Sequence, residues 1–327
     1  MERMGLKIQY IPVPGGAVVL SCEGSGSAVT LPEKVDGLVL REIGAYAFSS
    51  PHDAMEHVPA GTKTRTAQVG NPALLGDEPM FLGGSFLREI VLPSGIQSIG
   101  EYAFYNCSSL TRISLSAGAA RVGNGAFMNC GRLNEICCNA HPEEPTALRG
   151  LLTEIQREVR VTFVFGKDKS VWVFPEYFEE SIENGPARIF EHFIHGAGYR
   201  YRQCFQTGQL DADAYDRQFP TAIHEAEQLT LLRIALVRLR YPYQLLKSAK
   251  QQYLDYLKAN AAAAAELLIK DDDPDGLSFI AANGVLTKQA ISAAVDAASK
   301  FGRAECLSIL LNERHTRFPA KERSFDL

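Results

Sequence analysis

The 327-residue sequence contains no apolar run long enough to cross a membrane, which takes about 20 residues. Its first residues, 1–7, also lack the apolar core of a signal peptide, so we expect neither export nor a membrane segment. Basic residues number 33 against 38 acidic ones, and the net charge is −5. Because nucleic-acid-binding proteins usually carry a basic surface, this balance argues against nucleic acid as a partner.

Motifs that carry chemistry are also scarce. There is no Gly-x-Ser-x-Gly elbow, and no cysteine lies in a recognised nucleophile motif. Residues 196–198 are rich in glycine but lack the preceding strand and the Lys-Ser/Thr pair of a phosphate loop. Residues 199–202 interleave tyrosine and arginine, which can serve nucleic acid, but the surrounding segment is near-neutral. We therefore predict no catalytic residue and no cofactor.

His192 and His195 are the strongest metal candidates in the sequence, and we interpret them as residues three apart on a helix. A zinc hydrolase instead has two histidines four apart with an acid between them, plus a third ligand. His52 and His57 lie elsewhere, without a cysteine or a carboxylate pair at metal spacing. The sequence predicts no metal site. Hydrolase or metal-binding activity within residues 150–260, in the C-terminal domain, is the alternative to a non-catalytic function.

The clearest positive feature is an internal repeat between residues 87 and 139. A Leu-x-x-Ile-x-Leu pattern begins at Leu87 and again at Leu110, and a degenerate copy begins at Leu133, so the period is 23 residues. Self-similarity at a fixed period in this range predicts a solenoid. In a solenoid, stacked repeats bury apolar faces that a single repeat cannot bury alone.

A second pattern keeps the same period. Residues 99–107 contain Ile-Gly-x-x-Ala-Phe-x-Asn-Cys, residues 122–130 repeat it with Val first, and residues 43–48 form an upstream copy without the cysteine. Equivalent residues of stacked repeats should lie above one another. We therefore expect one column of Phe48, Phe104 and Phe127, and another of Cys107 and Cys130. All seven cysteines are expected to be reduced thiols in a cytosol.

These residues resemble the BspA-like leucine-rich repeat family, a bacterial variant whose repeats read roughly L-x-x-I-x-L-P-x-x-V-x-x-I-G-x-x-A-F-x-x-C. The resemblance covers about residues 17–139. It departs from the family pattern at residues 117–118, where a proline is expected one residue earlier and is absent, and at residues 49–50, where no cysteine follows. The resemblance implies a protein-binding surface. Family members are often exported or surface-bound, but this chain shows no export signal, so we expect a cytoplasmic protein.

The alternation within each short strand predicts which side chains point outward. Glu, Arg and Glu should form one outward column, which can partly neutralise itself, and Val, Ser and Cys should form the next. The second column is small and nearly neutral, which suits a peptide or a flat protein surface. We predict a protein or peptide partner on this face. Its contact residues would be Glu89, Val91, Arg112, Ser114 and Glu135.

An insert lengthens one repeat, since the first two Ile-Gly motifs are farther apart than one period. It runs over about residues 51–84, is rich in proline and glycine, and has no sustained period. Loops of this length are often functional, and we hypothesise that the insert joins the outward strand face in binding. The alternative is a tolerated insertion without a role, because added loop length costs little stability. The competing hypothesis is that the C-terminal domain binds the partner and the solenoid is a spacer.

Residues 141–145 are the best domain boundary, because two prolines there flank two glutamates and prevent a helix or a strand ladder from continuing. We predict a leucine-rich-repeat domain at 1–140, with an N-terminal cap. A mostly α-helical domain should occupy 146–327 and begin with a short β-hairpin at 159–174. The fold class is therefore α+β.

The period of the apolar residues becomes helical after the hairpin. Proline at the start and glycine at the end of two segments predict helices at 175–185 and 186–196. Longer helices are predicted at 222–240, which should be buried on most sides, and at 243–259. Residues of about 260–313 resemble the helical part of ankyrin repeats but lack the usual Thr-Pro-Leu-His start.

Overall fold

The computed structural model describes residues 5–75, 79–119, 121–184 and 189–319. The chain forms two compact units, Met1–Gln218 and Phe219–Leu327. The strands of the first unit are β1 (Leu6–Val13), β2 (Gly16–Gly24), β3 (Ala28–Thr30), β4 (Lys34–Val35), β5 (Leu38–Ile43), β6 (Arg65–Val69), β7 (Met80–Phe81), β8 (Glu89–Val91), β9 (Ser98–Ile99), β10 (Arg112–Ser116), β11 (Arg121–Val122), β12 (Glu135–Asn139), β13 (Val159–Phe165), β14 (Asp168–Phe174), β15 (Phe178–Asn184), β16 (Ile189–His195), β17 (Phe205–Gln206) and β18 (Gln209–Leu210). Its helices are α1 (Pro51–Glu56), α2 (Leu148–Glu154), α3 (Gly198–Arg202) and α4 (Ala212–Asp216), with a 3₁₀ turn at Pro72–Leu74.

A six-stranded sheet carries the Leu-x-x-Ile strands of the repeats, in the order β14-β13-β12-β10-β8-β3. Strands β3, β8, β10, β12 and β13 run parallel, and β14 closes the sheet by pairing antiparallel with β13. Arg112 pairs with both Glu89 and Glu135, so adjacent repeats are offset by 23 residues. The isoleucines between the outward residues point inward and are buried at Ile90, Ile113 and Ile136.

An eight-stranded sheet forms the second wall, with the main order β11-β9-β5-β2-β1-β6. The short strands β5, β9 and β11 pair parallel from repeat to repeat. The antiparallel hairpin β1–β2 precedes them and pairs with β5. This hairpin lies where the sequence predicts the N-terminal cap of the repeats, at an end where unpaired strand edges would otherwise invite association.

The turn segments between the two sheets hold the aromatic column. The rings of Phe48 and Phe104 stack with centroids 5.0 Å apart, and those of Phe104 and Phe127 stack at 5.1 Å. The Sγ atoms of Cys107 and Cys130 donate hydrogen bonds to the carbonyls of the phenylalanines one repeat earlier, at 3.3 and 3.1 Å. Both columns were expected from the sequence. The thiols are therefore buried hydrogen-bond donors of the stack.

The glycine of each Ile/Val-Gly motif lets adjacent turns approach closely. A Cβ atom at Gly100 would lie 2.6 Å from the backbone nitrogen of Ala45, and one at Gly123 would lie 2.5 Å from that of Glu101. Both distances are too short for any side chain. The backbone nitrogen of Gly123 donates instead to the Ile99 carbonyl at 2.8 Å, one repeat earlier.

The C-terminal end of the first unit closes around the last two strands. Trp172 packs edge-on against Tyr215, with ring centroids 4.9 Å apart. The Tyr215 hydroxyl donates to the Val173 carbonyl at 2.5 Å and accepts from the Val173 N–H at 3.2 Å. One side chain thus satisfies both backbone groups at the edge of β14, where no further strand pairs.

Arg202 joins several segments of this end. Its side chain is fully buried, and all of its hydrogen bonds go to backbone carbonyls, which stand in for a carboxylate partner. Burial lowers the pKa of Arg202 to about 10, so the guanidinium is still protonated at neutral pH. A buried charge needs this many partners, because an unsatisfied one costs several kcal/mol, on the order of 3–5. The acceptors are the carbonyls of Leu152, Ile155, Arg157, Pro175 and Gly198.

Two sequence-based predictions about residues 146–196 are wrong. The hairpin at 159–174 does not belong to the helical domain, because β13 pairs parallel with β12 and continues the repeat sheet. The first unit accordingly extends to Gln218, beyond the boundary predicted at 141–145. The helices predicted at 175–185 and 186–196 are the antiparallel strands β15 and β16.

The reason for the second error lies in the spacing of the apolar residues. Phe178 and Ile182 are four apart, which fits both a helical face and one face of a strand. The glycine at 185, which would end the first predicted helix, and the proline at 186, which would begin the second, lie outside the described residues. Cross-strand pairing of seven residues on each side decides the conformation.

The second unit is helical throughout its described part. Its helices are α5 (Phe219–Ala222), α6 (Gln228–Arg240), α7 (Lys247–Ala259), α8 (Ala261–Lys270), α9 (Pro274–Ala282), α10 (Lys288–Lys300) and α11 (Ala304–Arg317). The predicted helix at 222–240 is buried on most sides, as expected, but begins at Gln228. The turn between α8 and α9 has its left-handed residue at Asp272, and the turn between α10 and α11 has it 30 residues later at Gly302.

Replacing Phe104 by alanine should lower the free energy of unfolding of the first unit by about 3–5 kcal/mol, because it opens a cavity between two stacked rings. The second unit should keep its own transition. Urea unfolding followed by circular dichroism measures both. Phe178→Ala is the matched control, since Phe178 is 56% exposed and its removal leaves no cavity. Loss of all structure in one step on Phe104→Ala would contradict two separate units.

Candidate protein-binding surface

The outward side chains of the six-stranded sheet form aligned columns across its parallel strands. We call this surface the outer face. The register brings together the residues that the sequence placed there, and it adds a residue pair from β3 on one side and from β13 on the other. The outer face comprises Ala28, Thr30, Glu89, Val91, Arg112, Ser114, Glu135, Cys137, Arg160 and Thr162.

The charged column of the outer face alternates in sign. Glu89, Arg112, Glu135 and Arg160 lie on successive strands, and all four are exposed. The closest pair is Arg112 and Glu135, whose nitrogen and oxygen are 3.8 Å apart. An exposed pair of this kind contributes only about 0–1 kcal/mol. The column therefore leaves little net charge on the surface, as the sequence predicted.

The neutral column contains a correction. Val91 is 37% exposed, whereas Ser114 is only 7% exposed and counts as buried. Ser114 lies in the central strand, where its short side chain is screened by longer neighbours. Alternation along a strand predicts the direction of a side chain, but it does not predict how much of that side chain its neighbours bury. Ser114 thus lies at the base of the outer face, and Val91 is the exposed apolar residue of that face.

The outer face ends toward β14. Val171 pairs with Thr162 and Val173 pairs with Arg160, so both valines continue the columns by register. Both are nevertheless buried, at 1% and 2% exposure. The accessible part of the surface therefore runs from β3 to β13. Thr162 and Arg160 were missed by sequence reasoning, because their strand was assigned to the other domain although its alternation was recognised.

The insert at 51–84 does not reach the outer face through its strands. Strand β6 pairs with β1, and β7 pairs with β2, so both extend the eight-stranded sheet. The side chain of Gln9 on β1 donates a hydrogen bond to Met55 of α1. The strands of the insert therefore extend the other sheet, and a joint role of the insert and the outward strands in binding stays a prediction.

The predicted metal candidates do not converge. His192 and His195 lie on β16 and not on a helix, and three residues along a strand place them on opposite faces. Nδ1 of His192 lies 2.8 Å from the Ser181 hydroxyl, and Nε2 of His195 lies 3.2 Å from the Glu180 carboxylate. The absence of a metal site stays a prediction.

A different acidic cluster occurs on α1. His52, Asp53 and Glu56 offer ligand atoms that all lie within 4.8 Å of one another. Sequence reasoning missed this group because it looked for a cysteine or a carboxylate pair beside the histidines. The three residues are exposed or half-buried on a helix of six residues, and nothing further in the structure indicates an ion there.

The thiols differ sharply in environment. Cys22, Cys107 and Cys204 are buried, and burial raises the pKa of each to about 12. Burial also raises the pKa of Cys130 and Cys138 well above the ordinary range. Cys137 is half-buried and points outward from β12.

In the described part of the chain, none of the helices is both long and apolar enough to traverse a bilayer.

Comparison with known proteins supports the repeat assignment for part of the chain. Residues 78–144 match the family described as "BspA type Leucine rich repeat region", with six copies. No curated protein matches the sequence.

Two solved structures are similar to part of the chain. A leucine rich cell surface protein from Faecalibacterium prausnitzii is 20% identical over 40% of this chain and 31% of its own length, with a TM-score of 0.25. The T. pallidum leucine rich repeat protein is 19% identical over 40% of this chain and 68% of its own, with a TM-score of 0.23. The chain thus spans about a third of the first structure's length. Similarities this low support no argument about function.

Cys137 should react with N-ethylmaleimide before any other cysteine of the native protein, because the remaining thiols are buried and raised pKa values leave little thiolate. Peptide mapping by mass spectrometry after brief labelling identifies the modified residue. Cys137→Ser is the control and should remove the rapid phase. Faster labelling of the neighbouring Cys138 would contradict the inward and outward assignment of β12.

Proposed function

We propose that this chain is a non-catalytic protein-binding protein. Its repeats would form a short solenoid with a 23-residue period, and the outer face would hold a protein or peptide partner. The family that matches residues 78–144 generally mediates contacts between proteins, which supports this class of function. The observation that carries the proposal is the alignment of outward side chains in columns over five parallel strands.

The physical character of the outer face fits this role. Five strands spaced about 4.8 Å apart give a flat surface roughly 20 Å wide. Its charged column is nearly neutral overall, so binding of a partner does not require the displacement of many counterions or the desolvation of a large net charge. The exposed Val91 beside the small Ser114 offers an apolar contact within a polar surround. Interfaces are commonly built this way, with charged residues depleted at the centre.

The helical unit is the competing binding site. Its helix pairs α8–α9 and α10–α11 share one turn geometry and would be ankyrin-like in this view. Arg303 reaches from the second turn to Asp272 of the first, with nitrogen and oxygen 2.9 Å apart. Such pairs also present an extended surface.

The proposed protein-binding function includes a cytoplasmic location, and it includes neither a nucleic acid nor a membrane as a partner.

Replacing Val91 by arginine should weaken binding of the partner at least tenfold, or about 1.4 kcal/mol, because it puts a charge in place of the exposed apolar contact of the outer face. The partner is first captured from source cells with the full chain, and its affinity is then measured by isothermal titration calorimetry. Met80→Arg is the matched control. Met80 is an exposed apolar residue of the eight-stranded sheet, 51% accessible, and its replacement should leave the affinity unchanged.

Val91 is a better test position than Ser114, since an arginine at the buried Ser114 would also disturb the fold. Thermal unfolding of both variants checks that they fold. Unchanged affinity in Val91→Arg, together with loss of binding on deletion of residues 219–327, would show that the helical unit is the binding module.

A further inference from the structure

The turn segments are joined by a ladder in which every second backbone N–H donates to the next repeat. Tyr102, Phe104 and Asn106 of the second repeat donate to carbonyls of the third. Their acceptors are Asn124 at 3.1 Å, Ala126 at 2.8 Å and Met128 at 3.1 Å. In the first repeat, Tyr46 and Phe48 donate in the same way to Glu101 and Ala103, at 3.1 and 2.8 Å.

The third repeat has the same row of donors but no fourth repeat to accept from it. The equivalent residues are Gly125, Phe127 and Asn129. Only the middle donor is satisfied, since the Phe127 N–H donates to Oε2 of Glu154 at 2.7 Å. Within the described residues, the N–H groups of Gly125 and Asn129 have no hydrogen-bond acceptor. The Glu154 side chain of α2 therefore replaces one of the carbonyls that a fourth repeat would supply, and two donors are left without an acceptor.

A groove lies where that segment would be. Its volume is about 430 Å³, and it runs between the third turn and the end of α2. A cavity of this size lies within the range that ligands occupy in proteins. Phe127 lies beneath the groove and is 1% exposed, so the aromatic column is already covered. The groove therefore exposes the edge of the third turn and not its aromatic core. One wall is formed by Gly125, Met128, Asn129 and Gly131, and the other by Thr153, Gln156 and Arg157.

We propose that this groove binds a turn-forming peptide segment of a partner protein, which continues the ladder as its next rung. The chemistry that recognises the segment is a row of alternate backbone carbonyls, directed at the open donors of Gly125 and Asn129. The contact between the second and third repeats shows the same arrangement, because the equivalent donors of the second repeat already bind the turn segment of the third. The site is separate from the outer face and does not depend on the function proposed for it.

The geometry also restricts the segment. Because the core above Phe127 is covered, the bound residues must be small where they face the stack. The segment must adopt the turn conformation of the repeats, in which Gly125 and Asn129 have φ values of +65° and +64°. Glycine and asparagine tolerate this region best. The Glu154 carboxylate occupies the middle rung, so a bound segment displaces it from the Phe127 N–H.

A labelled peptide tests the proposal. The probe copies residues 123–131 of this chain, with serine in place of phenylalanine and cysteine, and carries fluorescein. Fluorescence anisotropy with the full-length protein should show saturable binding. Glu154→Ala should bind the probe more tightly, because it removes the competing carboxylate and opens a third donor.

Gly131→Tyr should weaken the probe at least tenfold. A Cβ at Gly131 has no atom within 4 Å, so the new ring fills the groove without straining the backbone. Ser85→Tyr is the matched control at the exposed equivalent position two repeats earlier, and it should bind like wild type. Thr153→Tyr blocks the groove from its other wall and serves if Gly131→Tyr lowers the thermal midpoint.

Several outcomes would overturn the proposal. They are the absence of saturable binding up to about 1 mM probe, equal affinity for a scrambled peptide of the same composition, and unchanged affinity in folded Gly131→Tyr and Thr153→Tyr variants. Loss of outer-face binding in Val91→Arg would not affect this site, so the two proposals fail separately.

Discussion

The structure of the first unit depends on one constraint, which is that each turn must give its alternate N–H groups to carbonyls of the next turn. The ladder requires adjacent backbones to approach so closely that Gly100 and Gly123 cannot carry a side chain. It also places equivalent residues directly above one another, which stacks Phe48, Phe104 and Phe127 at about 5 Å. Burial of the aromatic column and satisfaction of the backbone are thus achieved by the same 23-residue offset.

The C-terminal end of the first unit is closed by side chains in place of backbone. Glu154 accepts from the last phenylalanine, Tyr215 serves both groups of Val173, and Arg202 gathers backbone carbonyls from several segments. Each device meets a requirement that buried polar groups be hydrogen-bonded. The closure is incomplete at the third turn, where the N–H groups of Gly125 and Asn129 have no acceptor among the described residues. These two donors are the basis of the proposed peptide site.

The repeated part of this architecture could be predicted from the sequence, because it follows from spacing. The Phe and Cys columns and the pairing of Glu89, Arg112 and Glu135 all follow from a 23-residue offset. The parts that failed depend on contacts without a period. The parallel pairing of β13 with β12 joins residues across a proline-rich boundary, and the burial of Ser114 depends on the height of its neighbours. The two open donors of the third turn could not be predicted for the same reason. They depend on where Glu154 lies, and Glu154 belongs to helix α2, which follows the last repeat and has no repeat period.

Amide hydrogen exchange on the native protein tests the ladder most directly, because each N–H reports its own hydrogen bond. The account predicts strong protection for Tyr102, Phe104 and Asn106, and similar protection for Phe127 through Glu154. It predicts rapid exchange at Gly125 and Asn129. Equal protection across both turns would contradict the account, because it would mean that the third row of donors is already satisfied.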